Sequence, residues 1–492
     1  MNALNRRRLL TSGAAAAIFA ASGLGASAAP VRGGHLRLGL SGAHPSDGFS
    51  AMRPFGPFMK VAGAGLLFET LTEVTADGTL RGELASQWES RDGAHAWDIQ
   101  LRRGVSFHDG QPFTADDAVA SLRRHLRSGP ATPGGRLLTE VTAIRRLSVD
   151  RIRIELASAR VDFPFLLSDP HLVMHPARNA QAALRAGLGT GLYRLQSFAP
   201  GRRLLAERVS GHWKDGDAGW FDSVELLALP SRQERIEALL HGRVDLIDDL
   251  DPEAAEVLRR MPRFEVATVR GNGQIVARAP RGLSAGDAFA LRQALVHGLP
   301  RGLMADRLLA GHGAPGWDTP VGPVNIHAEA RPDLWDPDRA RRLLEDAGLS
   351  GLPLALGRRA AGDDVLAEAV SRAGFEIATA PEAVTFHPAS GRPTEDWAFS
   401  TGPAPDLPWV AGEKTRTQFD ALLRRGRAIS SSAARADVFA DLQRLVAALG
   451  TVAVPLHADF LFAGTSRLAH GPIIGRTATL DDGRVAERWW FA

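Results

Sequence analysis

The chain has 492 residues, 45% of them hydrophobic, which is enough apolar material for two or three domains with real cores. It has no cysteine, which excludes a small disulfide-stapled scaffold and a lipid-anchored N-terminus. The formal charge of +3 comes from Arg6, Arg7 and Arg8, so a chain cut after Ala28 is formally neutral, and no basic patch interleaved with aromatics points to nucleic acid.

At the start of the chain, NRRRLLTSG (5–13) is followed by the mildly apolar run AAAAIFAASGLG and by Ala26-Ser27-Ala28, an A-x-A cleavage site. This pattern predicts a signal peptide over 1–28 of the twin-arginine type. The run is too short and too rich in Ala and Gly to span a bilayer. Export then delivers a freely diffusing periplasmic protein. His35 to Leu40 alternates as a short strand and ends in the polar loop SGAHPSDG, where Gly42 and Ala43 are candidate ligand contacts because binding residues concentrate in strand-end loops.

The best-specified stretch is Leu80 to Leu126. Trp97, Ile99 and Leu101 alternate with Asp98, Gln100 and Arg102, and Asp92-Gly93 supplies a turn before them, so a hairpin is predicted. Val105 and Phe107 alternate again, Asp109-Gly110 turns the chain, and Thr114 with Asp117 reads as a near capping box that starts a helix. Ala115, Ala118, Val119, Leu122 and Leu126 form its apolar face. RRLSVDRIRIEL (145–156) predicts a second hairpin with Asp150 at its turn. Further on, Ser231 with Glu234, Asp251-Pro252 and Asp336-Pro337 each mark a helix start, and Gly242 and Gly348 mark helix ends. Phe419 to Leu449 is predicted mostly helical, with strands at Val452–Leu456 and Phe460–Phe462.

Several patterns resemble catalytic motifs and have simpler readings. Gly282-Leu283-Ser284-Ala285-Gly286 fits G-x-S-x-G, but no strand precedes it, and Ser284 with Asp287 is explained as a helix cap. Gly311 to Gly316 fits G-x-G-x-x-G, yet it follows a helix and holds a proline where a phosphate-binding helix would begin. The histidines show no H-E-x-x-H or comparable ligand spacing. No catalytic residue, metal site or cofactor is therefore assigned, and an enzyme is not the expected reading.

LASQWESRDGAHAWDIQLRRGVSFHDGQPFTADDAV resembles, as one ungapped run, the signature region of the family 5 extracellular solute-binding proteins, the periplasmic dipeptide, oligopeptide and nickel binders of ABC importers. GLGTGLYRLQSFAPGRRLLAERVSGHW (187–213), the RQERIEALLHG block, SAGDAFALRQALVHG (284–298) and DPDRARRLLEDAGL (336–349) extend the resemblance, although Leu192 and Leu299-Pro300 depart from the family pattern. The resemblance implies an α/β, two-lobed type II binding protein with mixed sheets, an extra subdomain in the first lobe and two inter-lobe crossings. The first lobe is expected at 29–271 with a signature subdomain at about 60–170, the second lobe at 272–451, and a return to the first lobe at 452–492. The first crossing falls near Val269–Gln274, with Gly271 and Gly273 as a hinge and Gln274 facing the cleft. The tail ERWWFA is expected to pack on the first lobe.

The family implies a monomer that binds a peptide between its lobes and delivers it to an ABC permease in the inner membrane, with a nickel chelate, haem, opine or sugar as alternative solutes. EDWAFSTGPAPDLPW (395–409) resembles the family segment whose aspartate pairs with the peptide's ammonium. Asp396 aligns with its first aspartate, and Asp406 is the candidate anchor. An ammonium moved from water into a closed cleft needs a carboxylate partner, and Trp397 or Trp409 would supply a cation-π or stacking wall.

Overall fold

The computed structural model describes residues 29–357, 360, 362–403 and 407–492. The predicted export signal lies outside them, and so does Asp406.

Leu36, Leu38 and Leu40 point into one core from strand β1 (His35–Leu40). Helix α1 (Pro57–Ala62) starts with proline at a first-turn position, where the missing N–H costs nothing, and packs its apolar face on that core. The signature region then builds a separate antiparallel sheet, in the order β2, β3, β5, β4, from β2 (Ala85–Arg91), β3 (Ala96–Leu101), β4 (Val141–Ser148) and β5 (Arg151–Leu156). On β3 the polar face is covered as well. Asp98 is buried, accepting from Arg153 Nε at 2.6 Å, from Arg151 Nη2 at 3.1 Å and from Arg91 Nε at 3.2 Å. Helix α2 (Ala115–Ser128) lies over this sheet. Asp117 fixes its start, accepting the Thr114 backbone N–H at 2.9 Å and the Thr114 hydroxyl at 2.8 Å. Short helix α3 (Pro133–Leu137) follows, with Thr132 as its cap.

The alternation at Val105 and Phe107 does not produce a strand. That segment folds back on itself, with the Phe107 N–H on the Gln111 carbonyl and the Gly110 N–H on the Phe107 carbonyl. Only an isolated bridge, Ser106 to Pro112, is left there. Val105 and Phe107 are buried all the same, in the subdomain core.

One mixed sheet carries the rest. Strands β6 (Tyr193–Ala199), β7 (Arg203–Arg208), β8 (Ser223–Ala228) and β9 (Leu246–Ile247) gather around β1, which pairs in parallel with both β8 and β9. The chain then leaves through β10 (Phe264–Arg278), a strand of 15 residues. Beyond it come α4 (Ala285–Gly298) and α5 (Pro337–Asp346), followed by β11 (Leu352–Ala355), β12 (Phe375–Ile377) and β13 (Val384–Ala389). Next are α6 (Glu395–Ser400), α7 (Glu413–Ala428) and α8 (Ser432–Leu449), and the chain returns through β14 (Ala453–Thr465). The order along the sheet is β12, β11, β13, β10, β14, β9, β1, β8, β7, β6, with the short strand Gly313–Pro315 also paired to β14. β10 and β14 are thus the two strands that run from one lobe into the other.

Their antiparallel ladder is interrupted between Val269 and Gly273. A Cβ on Gly271 would lie 2.4 Å from the Arg476 carbonyl oxygen, and one on Gly273 would lie 2.6 Å from that of Ala458. Close backbone approach, rather than an unusual φ, excludes larger residues at both positions. The two expected strands at Val452–Leu456 and Phe460–Phe462 are one continuous element. Trp489 and Trp490 are buried, and Trp489 belongs to the core beneath β1.

Candidate functional site

Two adjoining cavities, of about 230 Å³ and about 300 Å³, open between the lobes. Both are lined by Pro54, Pro133, Arg136, Asp169 and His171 on the first-lobe side, and by Ser390 and Arg392 on the second-lobe side. They form one cleft with two compartments. α1 places Lys60 in the larger compartment and α3 places Arg136. Asp169 and His171 come from the loop after Phe163–Leu166, and Arg392 follows β13 directly.

Among the sequence-predicted residues, Gln274 lines the smaller compartment and donates Nε2 to the Pro320 carbonyl at 2.6 Å. Trp409 lines it too, with Nε1 donating to the Thr401 carbonyl at 2.6 Å. Trp397 walls the larger compartment at 3% exposure. Its Nε1 has no hydrogen-bond partner among the described residues, and the Arg392 guanidinium sits 5.5 Å from its ring centroid. Gly42 and Ala43 line neither compartment. Gly42 instead turns the chain after β1 at φ 71°, against Gly56 and Pro57.

Sequence reasoning did not single out Lys60, Arg136, Asp169, His171 or Arg392. They reach the cleft from four separate segments, so no local spacing announces them. The one signal was Lys60, a rare lysine inside the apolar run FMKVA.

The electrostatics of the cleft are set by these groups. Asp169 is buried and accepts from His171 twice, at 2.8 Å from the backbone N–H and at 2.7 Å against Nδ1. Burial alone would raise its pKa, but His171 outweighs that and holds the carboxyl well below the usual range. His171 also stacks on Phe55 with ring centroids 4.1 Å apart. Burial pulls Lys60 and Arg392 below their ordinary values.

Beside the cleft, the lobes are joined by ion pairs. Asp396, 0% exposed, accepts from Arg160 Nε at 2.6 Å and from Arg427 Nε at 2.7 Å. Arg435 Nη1 donates to Asp162 at 2.8 Å, and the Val161 N–H reaches the Arg427 carbonyl at 2.9 Å. Asp396 is therefore occupied as a joint between lobes. Elsewhere, Glu73, Glu83 and Glu487 converge within metal-binding distance. Arg484 and Lys214 already fill that cluster at 2.7–2.8 Å. Ser284 accepts the Asp287 N–H at 3.1 Å as the cap of α4, which leaves the G-x-S-x-G pattern a structural role.

Comparison with known proteins places this architecture. The profile of the bacterial extracellular solute-binding proteins, family 5 Middle, matches residues 79–369. A nickel-binding periplasmic protein of Escherichia coli is 23% identical over 62% of the chain and 62% of its own length. A glutathione-binding protein of Pectobacterium atrosepticum is 23% identical over 70% of the chain and 66% of its own length. The chain thus matches just under two thirds of the length of these relatives. Among solved structures, the binding protein AgaA of A. tumefaciens in complex with agropinic acid superimposes with a TM-score of 0.78 at 19% identity, covering 93% of this chain and 99% of that one. A dipeptide-binding protein of Pseudoalteromonas in complex with a Met-Leu dipeptide gives a TM-score of 0.78 at 16% identity, covering 93% of this chain and 100% of that one.

Proposed function

The chain belongs to the bacterial extracellular solute-binding proteins of family 5, and we propose that it is the solute-binding component of an ABC importer, closing its two lobes on a small solute and handing it to a membrane permease. The observation that carries this reading is the two-compartment cleft between lobes that β10 and β14 both cross. A hinge of that kind closes when a solute makes contacts with both lobes that the open state lacks. The lobes are taken as 29–271 with 452–492, and 272–451. The protein acts as a binder, not an enzyme, and as a monomer in the periplasm.

Peptides are the first ligand class, with a nickel chelate, haem, opine or sugar as the alternatives. Gln274, Trp397 and Trp409 supply polar and aromatic walls, and Asp406 serves as the anchor for a ligand ammonium. Two solved neighbours were captured with peptides, the Met-Leu dipeptide and the peptide STSA of a Helicobacter pylori protein, while the cleft's arginines equally suit a carboxylate terminus.

Tryptophan fluorescence is the direct test, because Trp397 and Trp409 border the cleft. Saturable quenching without product formation is the expected result, and turnover of any added peptide would overturn the assignment. Export is tested separately. Arg6→Lys with Arg7→Lys should retain the precursor in the cytoplasm, since the export receptor reads paired guanidinium groups rather than charge alone. Fractionation showing normal periplasmic accumulation would exclude the twin-arginine route.

A further inference from the structure

Among the described residues, the buried lysines and arginines outside the cleft all have partners, Arg292 the backbone carbonyls of Val446, Ala447 and Val452 and the others carboxylates. Arg160 and Arg427 share Asp396, and Lys214 and Arg484 share Glu83 and Glu487. The cleft holds three half-buried cations without such partners. Among the described residues, the side chains of Lys60, Arg136 and Arg392 make no hydrogen bond and no ion pair, and Arg392 has only the face of Trp397 at 5.5 Å. The two carboxylates that line the same compartment hold other donors and form no ion pair with these cations. Asp169 is held by His171, and Asp482 accepts the N–H groups of Thr477 and Ala478 at 2.8 and 2.9 Å.

Burial lowers both Lys60 and Arg392 most; Asp482 and Asp169 raise Lys60 and Asp169 raises Arg392, while the charge on Arg392 lowers Lys60 and that on Arg136 lowers Arg392. Holding like charges together in a desolvated cleft is unfavourable unless something of opposite sign arrives. Arg136 and Lys60 come from the first lobe and Arg392 from the second. An anion between them therefore makes contacts that exist only when the lobes are closed. A guanidinium fork also matches a carboxylate in two parallel hydrogen bonds.

We infer that the solute of this cleft is a small organic acid carrying at least two carboxylate groups, one held where Arg136 and Arg392 approach each other and the other directed to Lys60. This inference rests on the cleft being the solute site. An acidic dipeptide and an amino acid N-alkylated with a second carboxylate both satisfy it, whereas a zwitterionic dipeptide leaves a cation unmatched.

Calorimetry on the full mature chain at pH 7 tests this with four probes: a zwitterionic dipeptide, a dipeptide with a glutamate side chain, an N-carboxyalkyl amino acid, and the diamide of the last. One or both dicarboxylate probes should bind at least 100-fold more tightly than the zwitterion or the diamide, and the two dicarboxylates separate an acidic peptide from an N-carboxyalkyl amino acid as the source. Arg392→Gln should weaken the dicarboxylate at least 30-fold while leaving the ligand-free melting temperature equal or higher, because it removes an unpaired charge. A zwitterion that binds as tightly as the dicarboxylates and is indifferent to Arg392→Gln overturns the inference and leaves the solute-binding reading standing. If no probe binds and native mass spectrometry finds no copurified small molecule, both fall.

Discussion

Asp396 shows what a single side chain contributes to joining the lobes. Burial would raise its carboxyl, but Arg160 and Arg427 outweigh that and hold it well below the usual range, so its contribution is present above about pH 4 and is lost as the pH falls through the folded value. Asp396→Ala leaves the buried Arg160 guanidinium without a carboxylate and Arg427 with only Glu140 at 3.4 Å. Urea unfolding should show a loss of about 3–5 kcal/mol, and a loss under about 1 kcal/mol would show that the pairs are dispensable. His457 on β14 makes the opposite kind of case. Neither ring nitrogen has a hydrogen-bond partner among the described residues, the ring packs on Trp317, and burial pushes the imidazole down to about 4. The unfolded chain takes up that proton near pH 6.5. The contribution of His457 is therefore intact above that pH and falls by about 2 kcal/mol by pH 5. His457→Leu should flatten the decline of the urea midpoint between pH 7 and pH 5, and parallel profiles for the two proteins would refute this.

At the scale of elements, local chemistry was legible wherever the stabilising partner is near in sequence. The caps at Asp117, Ser231 and Ser284 were readable from spacings of three residues and those at Asp251 and Asp336 from an Asp-Pro pair, and each is made. Strand continuity was not, because it depends on neighbours far away. Val105 and Phe107 alternate correctly but find no partner strand, while the glycines of β10 looked like a break and are accommodated by a shift of register against β14. The cleft divides the same way. Gln274, Trp397 and Trp409 could be singled out from a motif-bearing segment or the crossing, whereas Arg136 and Arg392 are 256 positions apart by their numbers and meet only through the fold. Gly273→Ala drives a methyl against the Ala458 carbonyl. It should cost about 1–3 kcal/mol, the usual range for overpacking, as a lower urea midpoint; an unchanged midpoint would mean that the ladder yields freely there.

Across the whole molecule, the C-terminal segment is tied into the first lobe by buried charge as well as by indoles. Arg488 donates Nη2 to Glu73 at 2.7 Å and Nη1 to Asp481 at 2.7 Å, and Trp489 Nε1 donates to Asp481 at 3.1 Å. Burial would raise Glu73, yet Arg484 and Arg488 hold it well below its ordinary value. Removing residues 488–492 takes away Arg488 and two buried indoles, although Glu73 keeps Arg81 at 2.9 Å; at a cost of about 3–5 kcal/mol, the melting temperature should drop by roughly 3–5 °C. An unchanged melt would argue that the segment merely rests on the surface. The same arrangement bears on how the protein is made. β14 lies between β10 and β9 in the sheet, and residues 479–491 close the core under β1. While residues 453–492 are still inside the ribosome, the growing chain has an open sheet edge in each lobe and an uncovered apolar floor beneath β1. Such edges invite pairing with other chains. Until residues 453–492 emerge, neither lobe has its complete sheet, and shorter nascent chains present both unpaired edges to other chains.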